Sequence, residues 1–311
     1  MASMADPSSL MPAAGAAQIL VGAVQALTML TVGLHLDLPA LRGAAGAGRP
    51  LLAGLAAQWL LLPLATLLLI ALARPPADTA LGLMLVAATP GGGAAVYLSL
   101  IGRADLALSV ALTTVSTLLA AALTPALFAA QLFLAGAAGG AVPLHLDFLA
   151  LAGNMAGLLL LPLAAGLAFN HRLPRLAWRL RGPLKLILGL VLGALVVLSL
   201  QRNAQQLVDQ LPLLAPLVAI HNGLAMLGGW LLARWSGLPP VQARTATLGA
   251  GVNNSGIALA LALSLFAAAP AALAVVLWWS GWRLFSGWVL ALHWSRRARR
   301  ALAASSLTVT Q

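Results

Sequence analysis

Two short runs interrupt a chain otherwise built largely of Leu, Ala and Val: Thr89-Pro90-Gly91-Gly92-Gly93 and Gly249-Ala250-Gly251-Val252-Asn253-Asn254-Ser255-Gly256. Proline withholds an amide donor and clashes with the preceding turn, and successive glycines have little steric preference for helix, so both runs should unwind. Unwound backbone bares N–H and C=O groups. The helix halves on either side present partial positive charge at an N-terminus and carbonyls at a C-terminus. Such groups bind an anion or a cation without covalent chemistry. Polar residues also sit near the middle of other apolar runs: Gln58, Ser109, Thr113, the pair His221-Asn222, and Arg283. The chain has no cysteine and no glutamate, and its six aspartates fall at the ends of apolar runs or between them. Paired carboxylates, thiolate metal sites and a nucleophile with its base are all missing from this pattern, so no enzyme and no organic cofactor is expected.

The elements that must position these residues follow from composition. With 61% hydrophobic and 7% charged residues, a soluble domain would lack the polar material to cover its surface, so the solvent is lipid. A membrane-crossing helix needs about 20 apolar residues. The runs at 18–36, 51–73, 79–101, 106–133, 147–170, 184–200, 211–235, 243–266 and 271–294 meet or approach that length. None alternates as a barrel strand would. The fold class expected is therefore all-α and polytopic, with about nine transmembrane helices. Both breaks fall inside such runs, where unpaired backbone is tolerated only next to protein or a water-filled cavity.

The order of helix types around the first break recurs around the second: an apolar helix, a helix with a central polar residue (Gln58, then His221-Asn222), a broken helix, a long helix. This is the pattern of an inverted repeat with a site at the midplane. Repeat one spans 16–134, an extra helix 145–170 and repeat two 184–295, all within one transmembrane unit, 16–296. Residues 1–15 lack a basic n-region and read as an extracytoplasmic tail, not a cleaved signal peptide; 297–311 read as a cytoplasmic tail. The net charge is +11, which in a soluble chain would suggest nucleic acid. Here all the basic residues but Arg74, Arg202 and Arg283 fall on one side of the expected helices. That places the N-terminus outside and the C-terminus in the cytoplasm of a multi-pass inner-membrane protein, in contact with the lipid bilayer and not with nucleic acid.

Pro90-Gly91-Gly92 followed by the Ser- and Thr-rich stretch from Asp105 to Leu118 closely resembles the first signature region of the bile acid:sodium symporter family. A second match runs from His221-Asn222-Gly223 through Ala233 to Pro239 and on to Asn254-Ser255-Gly256, and Leu27 to Leu36 is similar to the family's first conserved helix. The resemblance implies a core domain and a panel domain, with two discontinuous helices crossing in the core. It also implies alternating-access symport of a small organic anion, a bile acid or smaller carboxylate, with two sodium ions. At the positions that resemblance assigns to sodium, Gln58, Ser109 and Thr113 are kept and Asn253 replaces Gln, with carbonyls expected from Ala250 and Val252. Ala95 and Val96 stand where the family has Ser and Asn, and Gly249 where both sites share a Glu; as a separate departure, in the last helix, Arg283 with Leu284 stand where the family has His and Asn. Hard cations need several oxygen ligands, so these replacements argue against sodium coupling and leave uniport, exchange or proton coupling open.

The expected substrate-binding set is Gly91, Gly92, Gly93, Asn253, Asn254, Ser255, His221, Asn222 and Arg283. Two of these carry alternatives. Arg283 either faces the substrate carboxylate or snorkels towards the cytoplasmic face, and His221 is either a proton carrier or a hydrogen-bonded structural imidazole. A second function class, a non-transporting sensor or solute-binding relative with a degenerate site, fits the same replacements.

Overall fold

The computed structural model describes residues 22–35, 46, 48–137, 148–266 and 269–308. Among them every regular element is helical, in the order α1 (22–35), α2 (Gly48–Ala73), α3 (Ala77–Ala87), α4 (Gly93–Ile101), α5 (Leu106–Ala137), α6 (Phe148–Arg172), α7 (Pro174–Trp235), α8 (Pro240–Gly251), α9 (Ser255–Leu265) and α10 (Pro270–Thr308). Asp6, Asp37, Asp147, the expected tail 1–15 and the extreme C-terminus lie outside the described residues.

Four helices are long and apolar enough to cross a membrane: Gly48–Ala73, Leu106–Ala137, Val208–Trp235 and Pro270–Ala298. The expected helix over 79–101 is two helices, α3 and α4, parted at Pro90, and that over 243–266 is α8 and α9, parted at Asn253. One expectation needs correction. The runs 184–200 and 211–235 are not separate helices, because both belong to the 62-residue α7. The polar stretch between them, Gln201 to Gln210, contains no glycine or proline, so nothing in it stops a helix. At about 1.5 Å per residue, α7 is roughly 93 Å long, about three bilayer cores. The expected run 271–294 falls within the candidate span Pro270–Ala298, and its helix α10 continues through Arg296–Arg300 to Thr308.

One helix departs from α-geometry. Residues Ala57–Leu61 of α2 form a π turn, closed by Leu62 N–H on Ala57 O. The cause lies two residues on: Pro63 has no N–H for Trp59 O, and its ring would press on that carbonyl in a regular turn. The wider turn relieves the clash.

Helices touch where side chains are small, as is usual in lipid. A Cβ added at Gly82 of α3 would lie 2.7 Å from Ala272 O on α10, and one at Gly229 of α7 would lie 2.7 Å from Ala246 O on α8. The largest buried cluster joins Leu83, Met84 and Val86 of α3 to Phe128 of α5, Ile257 of α9 and Trp279 of α10. It encloses the end of α3 just before its break. Replacing Gly229 by Val should therefore force α7 and α8 apart, costing about 1–3 kcal/mol. Gly223→Ala, where nothing lies within 4 Å, should be neutral or stabilising. Melting curves of the two variants in detergent, read by size-exclusion recovery, check the contrast.

Candidate functional site

The two breaks meet. Gly92 N–H donates to Val252 O (3.0 Å) and Asn254 N–H donates to Pro90 O (2.7 Å), so that Gly91 and Asn253 form an isolated antiparallel bridge. Each break thereby supplies what the other lacks. Only glycine allows the approach: a Cβ at Gly92 would lie 2.7 Å from Asn253 O. Pro90 has no N–H to give Val86 O, its partner in a continuing helix. Thr89 Oγ1 (2.7 Å) and Asn253 Nδ2 (3.3 Å) donate to that carbonyl instead, and Asn253 Nδ2 also reaches Thr89 O (3.1 Å). Asn253 is thus the C-terminal cap of α3. Its neighbour Asn254 is the N-cap of α9, its Oδ1 accepting from Gly256 N–H (3.1 Å) and Ile257 N–H (3.3 Å).

Side chains from four further helices close on this crossing. From α5, Ser116 Oγ accepts from Gly91 N–H (3.0 Å) and donates its hydrogen to Gln58 Oε1 (2.6 Å) on the π turn of α2. The relay fixes the amide's orientation. Gln58 Nε2 then faces Gly91 and Gly249, where a Cβ on either glycine would lie 3.0 Å from it, and it is buried without a partner. From α7, Asn222 Nδ2 donates to Gly251 O (2.7 Å) at the end of α8, and Asn222 Oδ1 accepts from Ser286 Oγ (2.6 Å) of α10. From α10, Arg283 Nη2 donates to Ser255 Oγ.

The expected residues therefore divide. Gly91, Gly92, Asn253, Asn254 and Ser255 make the crossing, Asn222 and Arg283 are bonded to it or to its flanking ends, and Gln58 is joined to it through Ser116. Gly93 begins α4 on the exposed side, with open space around it. His221 is fully buried but turned to α2, where its Nε2 lies 2.9 Å from Thr66 Oγ1. Thr66 gives its hydrogen to Leu62 O (2.8 Å), so Nε2 is the donor in this pair, while Nδ1 is buried without a partner. Ser109 Oγ accepts from Ser99 Oγ (3.0 Å) across α4 and α5, and Thr113 is half-buried one turn on. Of the oxygens at the positions resembling sodium ligands, Asn253 Oδ1 is buried and unpartnered, while Gln58 Oε1 and Val252 O already accept hydrogen bonds. Sequence reasoning missed Ser116, Ser286 and Thr66. A hydroxyl inside an apolar helix ordinarily bonds its own preceding turn, and only the tertiary partner distinguishes these three.

A family model described as Sodium Bile acid symporter family matches residues 24–210, which include the first break and leave the second and Arg283 beyond it. The chain is 31% identical over 256 residues to the "Uncharacterized sodium-dependent transporter YocS" of Bacillus subtilis, covering 81% of this chain and 75% of that protein. It is 30% identical over 285 residues to the chloroplastic "Probable sodium/metabolite cotransporter BASS1" of Arabidopsis thaliana, covering 89% and 67%. The human "P3 protein" is 29% identical over 238 residues, covering 74% and 47%.

Because Gly91, Ser116 and Gln58 form one relay, Ser116→Ala should cost about 1–3 kcal/mol by orphaning a buried donor and a buried acceptor. Combined with Gln58→Leu it should cost less than the sum of the two changes. A double-mutant cycle on melting midpoints measures that coupling.

Proposed function

The chain belongs to the Sodium Bile acid symporter family, and on that premise we propose that it is a secondary transporter that carries a small organic anion through the membrane by alternating access. The observation that carries the reading is the crossing itself, in which two broken helices exchange backbone hydrogen bonds inside a chain of apolar helices. α4 and α9 both begin there, and α3 and α8 end there, so two positive helix ends that suit a carboxylate stand beside two carbonyl ends that suit a cation. The printed names of the Bacillus and Arabidopsis relatives describe a sodium-dependent transporter and a sodium/metabolite cotransporter. They favour a carrier of metabolites over a sensor.

In this reading residues 16–296 form one inner-membrane unit, N-terminus outside, with inverted repeats 16–134 and 184–295. The solute lies against Gly91–Gly93, Asn253–Ser255 and Asn222, with His221 behind them, and takes the form of a bile acid or a smaller carboxylate. Two hydrogen bonds make a pivot about which flanking helices can rock while the crossing stays paired.

The test is uptake of labelled cholate, pantoate and pyruvate into proteoliposomes. Saturable, protein-dependent uptake that is accelerated by unlabelled solute inside is expected. Gly92→Ala, which separates the breaks, should lower it by about tenfold or more, the rate equivalent of about 1.4 kcal/mol. Binding of these solutes without flux would replace the transporter reading by that of a sensor.

A further inference from the structure

Arg283 stands near the midpoint of the span Pro270–Ala298 and is only 5% exposed. A guanidinium so placed needs hydrogen bonds and opposite charge to offset its lost hydration. It has few. Nη2 donates to Ser255 Oγ, the Trp279 ring lies 5.6 Å from the guanidinium carbon, and both Nε and Nη1 are buried without a partner. The described carboxylates are engaged elsewhere or far along the chain. Asp78 sits in the first turn of α3, Asp105 caps α5 through Leu108 N–H (2.9 Å), and Asp209 accepts from Gln205 (3.0 Å).

The helix end that touches the guanidinium adds positive charge, and no described carboxylate is bonded to it. Ser255 is the first residue of the 11-residue α9, so the guanidinium is held at a positive helix end. Nη2 carries two hydrogens and Ser255 takes one. The other lies beside Nε or beside Nη1, both free, so one complete edge of the fork remains for the two oxygens of a carboxylate. The crossing is biased the same way on its other side. Where a side chain at position 249 would reach, the space is closed by Gln58 Nε2, an N–H donor. A donor complements an anion and repels a cation.

We infer that Arg283 is a tethered cation that anchors the carboxylate of the transported anion, so that uptake by this chain does not require sodium. The inference rests on the transporter reading and adds the source of the charge. The names of two relatives describe a dependence on sodium, whereas here the cation is built into the chain. The guanidinium is shut away from solvent in the conformation described, so the anion reaches it when helices around the crossing part. A headgroup phosphate does not reach the middle of a span, and the ligand is therefore a free carboxylate.

The experiment uses the full chain in proteoliposomes, with cholate, pantoate and pyruvate as probes and cholate methyl ester as the neutral control. Uptake is measured in sodium and in choline buffer, and stabilisation of the purified protein by each probe is read from melting curves. Equal carboxylate uptake in both buffers is expected, with stabilisation by the acids and none by the ester. Arg283→Gln should lose that stabilisation and about tenfold or more of the uptake, the scale of a lost charge-assisted contact, and Arg283→Lys should recover part. Ser255→Ala, which frees the guanidinium from its tether, supplies a second variant should Arg283→Gln fail to fold, and should weaken carboxylate stabilisation while the ester remains without effect. Uptake by the wild type that requires sodium, or Arg283→Gln carrying the acids at the wild-type rate, overturns the inference and leaves the transporter reading standing. Absence of protein-dependent flux of every probe in both buffers overturns that reading and the inference with it.

Discussion

Two backbone hydrogen bonds, Gly92 to Val252 and Asn254 to Pro90, decide what the rest of the molecule must do. Lipid offers no partner for a bare amide or carbonyl, so a broken helix survives only if its freed groups are met by protein or by water held in protein. Each break meets the other, and the remaining groups are met by side chains brought in for the purpose. Asn253 and Thr89 serve the end of α3, Asn254 the start of α9, Ser116 the amide of Gly91 and Asn222 the end of α8. The glycine stripes that let helices approach, and the apolar cluster around α3, hold this arrangement in register.

Much of this was legible in the chain itself, for identifiable reasons. Pro90 with three glycines, and Gly251 to Gly256 with two asparagines, announce interrupted helices because steric preference is local. The pairing of the two interruptions came only from a family resemblance, since residues far apart in sequence carry no local mark of contact. The π turn was in principle readable from Pro63, but its outcome, a Gln58 amide aimed between Gly91 and Gly249, depends on Ser116 fixing which end of the amide faces which way. The continuity of α7 was misread because hydropathy falls between 200 and 211 while helix propensity does not.

The polar groups left over are unequal in kind. Gln58 Nε2 and two nitrogens of Arg283 are donors, and Asn253 Oδ1 is an acceptor. Among these side-chain atoms donors outnumber acceptors three to one, while the positive ends of α4 and α9 are matched by the carbonyl ends of α3 and α8. A site balanced that way discriminates by sign of charge before it discriminates by shape, and the apolar surroundings amplify the preference by lowering the local dielectric.

The crossing also has a history in the life of each molecule. Asn253 caps a carbonyl of Val86 that precedes it by 167 positions, so the ribosome delivers the first interrupted helix to the membrane long before its counterpart exists. During that interval Pro90, Gly91 and Gly92 have no permanent neighbours, and their amides and carbonyls must be sheltered by the translocation machinery or by water admitted with the nascent chain. Biogenesis of this protein therefore passes through a half-built state whose weakest point is the same backbone that later forms its centre. A defect in the second interrupted helix would be felt first as degradation of the newly made chain, before any question of activity arises.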